Sequence, residues 1–118
     1  MYRIAKSYHF SASHILKGLP ADHPCSRMHG HNYVVEVELQ SPTLDKNNFV
    51  RDYRELDELK NYIDETLDHR HLNDVLGDDF TTAECVAKFF YDWCKARWAE
   101  VSAVRVSETP RSWAEYRP

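Results

Sequence analysis

The sequence YRIAKSYHFSASH, residues 2–14, alternates between two kinds of side chain. Its even positions are mostly apolar and its odd positions mostly small or polar, which is the period typical of a strand with one buried face. His14 ends the apolar series and shares its face with Tyr8 and Phe10. We therefore predict that the first strand presents a histidine on its buried face.

A second strand is predicted in HGHNYVVEVELQ, residues 29–40, where the same alternation places His29 and His31 on the face of the following valines. The connection before it, residues 15–28, contains a glycine and two prolines and has no sustained period. We expect it to be a long loop, a kind of segment that often carries function. If the two strands pair as antiparallel neighbours, His14 lies beside the histidine pair.

The middle of the chain predicts two amphipathic helices. The run that begins at Asp52 has apolar residues at spacings of three and four and ends near Leu67. A second helix is expected to begin at Thr81, because Thr81-x-x-Glu84 fits a capping box. Its buried stripe is predicted to consist of Val86, Phe89, Phe90, Trp93, and Arg97 or its neighbours.

Two further strands are expected near the end of the chain. Val104, Val106 and Glu108 alternate with polar residues, and a short last strand follows at residues 112–116, after the turn at Pro110. The element order is therefore ββααββ. Grouped strands and grouped helices favour an α+β fold with a four-stranded antiparallel sheet and two helices.

Length and composition restrict the class of protein. The chain has 118 residues and a mass of 13.9 kDa, with 42% hydrophobic residues, which suits a single domain over residues 1–118. Its 15 Lys and Arg against 19 Asp and Glu give a net charge of -4, so we expect no nucleic-acid partner. The apolar runs are too short to cross a membrane, and the first residues lack the features of a signal peptide. We therefore expect a soluble, cytoplasmic protein with no membrane partner.

His14, His29 and His31 are candidate metal ligands, because strand parity places all three on matching faces of neighbouring strands. Zinc bound by three protein ligands keeps a fourth position for water or substrate, which is the catalytic pattern. The competing interpretation is that these are ordinary core or surface histidines. The third histidine on the matching face favours the metal site.

Cys25 lies four residues before His29, too close along the chain to be far from a metal bound there. A thiol beside a cation loses its proton more readily and can then act as a base or a nucleophile. Two alternatives remain open, a fourth zinc ligand in a closed site and a small buried side chain. The other two cysteines, Cys85 and Cys94, lie within the second helix and are expected to be packing or surface residues.

Two carboxylates are candidates for the remaining chemistry. Asp68 beside His69 can orient and polarise an imidazole for proton transfer, although local hydrogen bonds at the helix end are an alternative and His71 is an equally good candidate. Glu108 lies on an otherwise apolar strand face, where a ligand with adjacent N–H donors would be a natural partner. Termination of that strand at the surface is the alternative.

Five ordered motifs resemble those of a known family. They are FSASH at 10–14, C-x-x-x-HGHNY at 25–33, LDHRHLN at 67–73, T-x-E at 82–84, and SET with A-x-Y within 107–116. Their order is similar to that of the 6-pyruvoyltetrahydropterin synthase family. The short C-x-x-x-H-G-H spacing resembles the bacterial branch, the 6-carboxytetrahydropterin synthases of queuosine biosynthesis.

The resemblance implies a tunnelling fold, in which subunits assemble as a hexamer or a tetramer into a barrel with active sites at their interfaces. It implies Zn²⁺ as the metal, held by the three histidines named above. Cys25 matches the catalytic base, Asp68 with His69 the proton relay, and Glu108 the anchor of the pterin ring. Substrate-binding candidates are Thr82, near the pterin, and the cations Arg27 and Lys17 for a triphosphate.

The same resemblance implies a lyase. The expected reaction converts 7,8-dihydroneopterin triphosphate to 6-carboxy-5,6,7,8-tetrahydropterin, acetaldehyde and triphosphate. An alternative within the family is 6-pyruvoyltetrahydropterin synthase, which eliminates triphosphate but retains the side chain. A non-enzymatic alternative is a pterin-binding module in which zinc only staples the strands and Cys25 completes a tetrahedral site.

Overall fold

A computed structural model describes residues 1–118, which form an α+β fold. One five-stranded sheet has the order β3-β1-β2-β4-β5, and three helices lie between β2 and β4 in sequence. The strands are β1 (Tyr2–His14), β2 (His29–Ser41), β3 (Arg70–His71), β4 (Val101–Thr109) and β5 (Ser112–Tyr116). The helices are α1 (Asp57–Tyr62), α2 (Leu72–Leu76) and α3 (Ala83–Lys95).

The first two strands form the long antiparallel hairpin that the alternating pattern predicts. Their register runs without a shift from Tyr2 opposite Ser41 to His14 opposite His29. The loop between them contains one short 3-10 turn at Pro24–Ser26. Because the register is regular, the even-numbered residues of β1 share a face with the odd-numbered residues of β2, as expected.

The sheet contains one strand more than the predicted four. β3 has two residues and pairs in parallel with the end of β1, where Ala12 lies opposite Arg70. The five-residue helix α2 follows it directly. A two-residue strand is too short to produce a periodic pattern, so the sequence carries no signal for it.

The predicted first helix is a composite of three helical types that ends at Leu67, as expected. A 3-10 turn at Tyr53–Leu56 leads into α1, and a π-helical turn at Ile63–Leu67 completes the segment. The N–H of Asp68 closes this wider turn by donating to the carbonyl of Ile63 at 2.8 Å. Such turns are frequent at functional sites, and this one sets the direction of the chain at Asp68.

The predicted capping box at the start of α3 is wrong by one residue. Thr82 is the cap, and its hydroxyl accepts a hydrogen bond from the N–H of Cys85 at 3.2 Å. Thr81 is buried instead, with its hydroxyl directed at the carbonyl of Ile15. At the end of the predicted stripe, Arg97 is exposed, because α3 ends at Lys95, whereas its neighbour Trp98 is buried.

The helices cover one face of the sheet and enclose a core of 22 buried hydrophobic residues. Tyr33 and Phe90 are its largest fully buried side chains. The other face of β1 and β2 carries mainly polar residues, and the molecule is elongated, with extents of 55 × 26 × 24 Å. None of the helices has both the length and the apolar character that crossing a bilayer requires. The predicted histidines lie at the end of the hairpin that points toward the loop of residues 15–28.

Candidate active site

His14, His29 and His31 converge as the strand parity predicts. One ligand nitrogen from each imidazole lies within 4.8 Å of the others, and the Nε2 atoms of His14 and His29 are 2.9 Å apart. Nitrogen ligands of a tetrahedral zinc ion lie about 3.3 Å from one another, given Zn–N bonds of about 2.0–2.1 Å. The spacing of the three nitrogens therefore suits coordination of one ion.

Hydrogen bonds to backbone carbonyls favour the tautomer that a metal requires. Nδ1 of His14 lies 2.8 Å from the carbonyl oxygen of Thr81, and Nδ1 of His29 lies 2.7 Å from that of Arg27. A carbonyl can only accept, so each Nδ1 carries the proton and each Nε2 presents a lone pair. Two lone pairs that face each other at 2.9 Å repel unless a cation lies between them, so the donor set fits a metal ion.

Burial of His14 also favours the neutral imidazole. His14 is 1% exposed, and this burial lowers the pKa of its imidazole, which favours the neutral form. Neutral imidazole is the form that binds a metal.

Glu108 lies beside this cluster, on the strand face that the sequence predicts. Its Oε2 is 3.4 Å from Nε2 of both His14 and His31. The carboxylate also lines a cavity of about 400 Å³ between the start of α3 and the β4–β5 hairpin, together with Glu84 and Trp113. Glu108 can therefore contact a ligand in that cavity while it remains next to the histidines.

Cys25 lies in the 3-10 turn of the long loop and is half-buried. The N–H of Leu16 donates to the carbonyl of Cys25 at 2.9 Å, which folds the turn back toward the end of β1. The sulfur is not part of the cluster of ligand atoms formed by the three histidines. The other two cysteines, expected to be packing or surface residues, both lie on α3. Cys94 is buried, and this burial raises the pKa of its thiol to about 12. Cys85 is half-buried.

Asp68 and His69 form the predicted pair. Oδ2 of Asp68 lies 3.0 Å from Nδ1 of His69, and Oδ1 accepts the N–H of Ser11 at 2.9 Å. The bond from Ser11 is the main cause that holds the pKa of Asp68 below its ordinary value, with His69 adding to the effect. His69 has a positive φ of 59° and a side chain that is 82% exposed. The pair therefore presents Nε2 of an oriented imidazole to the outside of the chain.

A second cavity, which we call the rim cavity, opens where β1, β2 and β3 meet. It has a volume of about 430 Å³ and contains a metal-ligand candidate, His31, and the relay candidate, His69, in its wall. No hydrogen bond links His69 to the three clustered histidines. The side chains of Ser11, Ser13 and Asn32 in its wall lie on the face of the hairpin opposite the three imidazoles, so the cavity does not join His69 to the histidine cluster within one chain.

The remaining predicted site residues are Thr82, Arg27 and Lys17, and the side chains of Thr82 and Lys17 are engaged in other contacts. Thr82 uses its hydroxyl to cap α3, while its neighbours Ala83 and Glu84 line the cavity beside Glu108. Arg27 is exposed, and its backbone carbonyl is the partner of His29. Lys17 forms an ion pair with Asp78 at 2.8 Å.

Three residues that support the site were not predicted. Thr81 supplies the carbonyl for His14, and Ser11 supplies the N–H for Asp68. Asn73 is 8% exposed and bonds both the N–H and the carbonyl of Ile15 at 2.9 Å, which fixes the chain just after His14. Thr81 and Ser11 act through their own backbone groups, and Asn73 acts through its side-chain amide on the backbone of Ile15. None of these contacts has a signature in sequence spacing, although Asn73 lies within the LDHRHLN motif.

Comparison with known proteins agrees with the fold and with the motifs. The chain is 33% identical to a 6-carboxy-5,6,7,8-tetrahydropterin synthase of Bacillus subtilis, over 99% of this chain and 86% of that protein. It is 31% identical to the protein of the same name from Aquifex aeolicus, over 98% of both chains.

Solved structures share the fold of this chain. The 6-pyruvoyl tetrahydropterin synthase of Caenorhabditis elegans superimposes with a TM-score of 0.86 at 25% identity, over 99% of this chain and 95% of that one. An uncharacterized protein from Wolinella succinogenes superimposes with a TM-score of 0.84 at 25% identity, over 98% and 97% of the two chains. The model of the family described as 6-pyruvoyl tetrahydropterin synthase matches residues 3–118. With its tunnelling fold, the chain is therefore a member of the 6-pyruvoyl tetrahydropterin synthase family of enzymes.

Proposed function

We propose that the protein is a zinc-dependent lyase that converts 7,8-dihydroneopterin triphosphate and water to 6-carboxy-5,6,7,8-tetrahydropterin, acetaldehyde and triphosphate. The relatives that share 31–33% identity over nearly the whole chain carry the name of this activity. In this proposal the enzyme works in the cytoplasm, in the biosynthesis of queuosine. Membership of the family supports a pterin as the substrate.

The observation that carries the proposal is the tautomeric state of the histidine cluster. His14 and His29 each donate from Nδ1 to a carbonyl, so their Nε2 lone pairs converge with the imidazole of His31. Three neutral nitrogen ligands leave a position for substrate in a tetrahedral zinc site. When bound there, Zn²⁺ supplies Lewis acidity toward the oxygens of the substrate side chain.

Glu108 would fix the pterin ring. Its carboxylate lines the cavity at the start of α3 and accepts hydrogen bonds only, so it suits the amino and ring N–H groups of a pterin. The same carboxylate lies 3.4 Å from two of the histidine nitrogens. A pterin held by Glu108 would therefore place its side chain at the histidine cluster.

Cys25, Asp68 and His69 would move the protons. The Cys25 thiolate would remove a proton from the side-chain carbon, and Nε2 of His69 would deliver one elsewhere on the substrate. Asp68 orients the His69 ring through Nδ1 and remains ionised, because the N–H of Ser11 holds its carboxylate. In this proposal, Cys25 removes a proton and His69 returns one.

A second candidate activity is that of 6-pyruvoyltetrahydropterin synthase, which retains the side chain. The similarity to the Caenorhabditis elegans structure favours it, although at a lower identity than that of the relatives named above. A zinc-stapled binding module is less well supported, because the sulfur of Cys25 lies outside the cluster that it would have to complete.

Homo-oligomerisation is part of the proposal. β3 covers only the end of β1, so the outer edge of residues 2–11 has no partner strand within the chain. β5 is the other edge of the sheet. Assembly into a barrel would pair such edges and would bring the exposed His69 of one subunit to the histidine cluster of another.

Product analysis tests the proposed reaction. The protein is incubated with 7,8-dihydroneopterin triphosphate, with and without a zinc chelator, and the products are identified by mass spectrometry. We expect 6-carboxytetrahydropterin and acetaldehyde in equal amounts, and neither product in the presence of the chelator. A pyruvoyl pterin without acetaldehyde would establish the second candidate instead. Binding of the substrate without any turnover would contradict both enzymatic assignments.

A further inference from the structure

The buried side chain of Asn73 joins two stretches of chain that carry candidate site residues. Asn73 lies in α2, four residues after His69, and it is 8% exposed. Its amide bonds the backbone of Ile15, the residue that follows the metal-ligand candidate His14. This one side chain therefore links the segment of the relay pair to the end of β1.

The partners of Asn73 use the hydrogen-bonding capacity of its amide and fix its orientation. Oδ1 accepts the N–H of Ile15 at 2.9 Å, and Nδ2 donates to the carbonyl of Ile15 at 2.9 Å and to Oδ1 of Asp78 at 3.1 Å. The N–H of Ile15 can only donate, and an ionised Asp78 can only accept. The amide can therefore take only one of its two orientations. A carboxylate of the same shape would not satisfy these three partners.

Asp78 extends the arrangement to a second residue of the long loop. Its Oδ2 accepts from Nζ of Lys17 at 2.8 Å. The bond from Lys17, followed by that from Asn73, holds the pKa of Asp78 below its ordinary value, so the carboxylate remains ionised. Ile15 and Lys17 are thus both held to the segment of residues 73–78.

The backbone that Asn73 holds leads directly to two functional candidates. Nδ1 of His14 donates to the carbonyl of Thr81, whose hydroxyl lies 3.4 Å from the carbonyl of Ile15. Beyond Ile15, the N–H of Leu16 donates to the carbonyl of Cys25 at 2.9 Å. A shift of Ile15 would therefore move both the ring of His14 and the turn that contains Cys25.

We propose that Asn73 is a positioning residue of the active site, which acts through Ile15 on the tautomer of His14 and on the location of Cys25. The inference rests on the proposed function only in taking the histidine cluster as a zinc site, and it requires no particular pterin. The bonds from Asn73 hold His14 so that Nδ1 faces Thr81 and Nε2 faces the other imidazoles. A ring that could rotate would present either nitrogen, and the lone pairs would no longer converge.

Asn73→Asp tests the proposal, because it keeps the shape of the side chain and removes its donors. In the variant a carboxylate oxygen faces the carbonyl of Ile15 and the carboxylate of Asp78, so these two bonds should break. We expect zinc to bind about 10-fold more weakly, the lower end of the loss that follows removal of an outer partner of a ligand. Competition with a chelator measures the affinity.

Two measurements on the metal-free protein distinguish positioning from a general loss of stability. Correlation of imidazole nitrogens with ring protons by NMR should show His14 with its proton on Nδ1 in the unmodified protein and a mixture of tautomers in Asn73→Asp. Alkylation by iodoacetamide, followed by peptide mass spectrometry, should become faster at Cys25 and stay unchanged at Cys85. A folded Asn73→Asp in which His14 keeps its proton on Nδ1 would overturn the proposal.

Two control variants are matched to Asn73→Asp, one in charge and one in stability. Asn61→Asp adds the same negative charge at an exposed position of α1. Glu38→Gln alters a buried carboxylate toward the opposite end of β2, and urea denaturation gives the free energy of unfolding of each variant. Both controls should bind zinc as the unmodified protein does. Equal weakening of zinc binding in Asn73→Asp and Glu38→Gln would mean that only overall stability matters, and it would overturn the proposal.

Asp78→Ala decides the question if Asn73→Asp does not fold. Asp78 is exposed, and its loss removes one of the partners of the Asn73 amide. We expect zinc to bind about 3-fold more weakly, the effect of a single hydrogen bond. In that case, a zinc affinity and a His14 tautomer that both remain unchanged would overturn the proposal.

The same measurements separate this inference from the proposed function. If the unmodified protein binds no zinc, the proposed function fails, whereas the tautomer of His14 still reports on the role of Asn73. If the unmodified protein binds zinc and forms product, and Asn73→Asp equals it in zinc affinity and His14 tautomer, the positioning role is refuted and the function stands.

Discussion

At the scale of single residues, strand parity was sufficient to bring three histidines together. The alternation on β1 and β2 predicts which face each histidine takes, and the regular register then sets His14 opposite His29. Parity does not predict the tautomers, which depend on carbonyls of Thr81 and Arg27 that approach from outside the strands. The same holds for Asp68, whose partner Ser11 lies on a strand that is distant in sequence.

The assignment of Cys25 as the base predicts that metal binding and catalysis separate. Cys25→Ala should bind zinc as the unmodified protein does, because the sulfur lies outside the histidine cluster. Its kcat should fall by about 100-fold or more, the usual contribution of a positioned acid or base. Elemental analysis and steady-state kinetics on the same preparation provide the two measurements.

The control for this variant is Cys85→Ala, at a half-buried thiol on α3. It should retain both zinc and activity. Loss of the metal in Cys25→Ala would identify Cys25 as a fourth zinc ligand. It would then support the alternative of a closed site.

At the scale of elements, hydrophobic periodicity predicted the long elements and missed the short ones. β1, β2, β5 and the end of the first helical segment at Leu67 agree with the sequence pattern. The two-residue β3 depends on its pairing with β1. The π-helical turn at Ile63–Leu67 depends on the hydrogen bond from the N–H of Asp68 to the carbonyl of Ile63. Neither produces a repeat in the sequence, yet together they place Asp68 and His69.

The start of α3 gives a test of the corrected cap. Thr82→Ala should destabilise the protein by about 1 kcal/mol, because the N–H of Cys85 loses its side-chain partner. Thr82→Ser keeps the hydroxyl and should restore most of that stability. Urea denaturation measures both variants. Stability that is equal in Thr82→Ala and the unmodified protein would contradict the assigned cap.

The last residues of the chain hold a buried carboxylate of β2. Glu38 is 7% exposed and accepts hydrogen bonds from both Nη atoms of Arg117, at 2.7 and 2.9 Å, and from the hydroxyl of Ser102 at 2.7 Å. The bonds from Arg117 are the main cause that lowers the pKa of Glu38 from 4.5 to about 2. The alternation along β2 is consistent with Glu38 on the polar face of the strand, but it does not show that Arg117 binds it.

This network predicts a stability that depends on pH in the acidic range. Because the folded pKa of Glu38 is lower than the unfolded value, its contribution is complete above pH 4.5 and declines as the pH falls toward about 2. The free energy of unfolding of the unmodified protein should exceed that of Glu38→Gln at pH 7, on the order of 2 kcal/mol. The difference should shrink on acidification to pH 3.

Glu36→Gln is the control for this measurement, since Glu36 lies on the same face of β2 but is more exposed and pairs loosely with Arg105 at 3.8 Å. It should show little pH-dependent difference from the unmodified protein. A gap between Glu38→Gln and the unmodified protein that stays constant from pH 7 to pH 3 would contradict the assigned role of Glu38.

At the scale of the whole molecule, the chain presents a long sheet with two open edges, and His69, the residue proposed as the proton relay, faces outward. The outer edge of β1 and the edge strand β5 have no partners within the chain. Asp68 and His69 have no hydrogen bond to the histidine cluster of their own chain. These features are consistent with an active site completed by assembly, which no pattern within a single sequence could demonstrate.

Mixing two inactive variants tests whether sites are shared between subunits. His14→Ala should lose the metal and His69→Ala the proton relay, so each alone should be inactive. If a site takes its metal ligands and its relay from different subunits, co-expression of the two variants should restore activity well above the sum of the separate preparations. A mixed assembly as inactive as its parents would show that each chain completes its own site. Light scattering on the same samples should give a mass four or six times that of one chain.

Binding of zinc to the three histidines is the claim on which the rest depends, and titration with chelator competition measures it directly. The purified protein should bind one Zn²⁺ per chain, and His14→Ala should weaken this binding by more than the 10- to 100-fold usually caused by loss of an outer partner of a ligand. His71→Ala, which removes a histidine bonded only to Ser13, should bind zinc unchanged. A protein that is folded but takes up no zinc, or that binds it equally well without His14, would contradict the account.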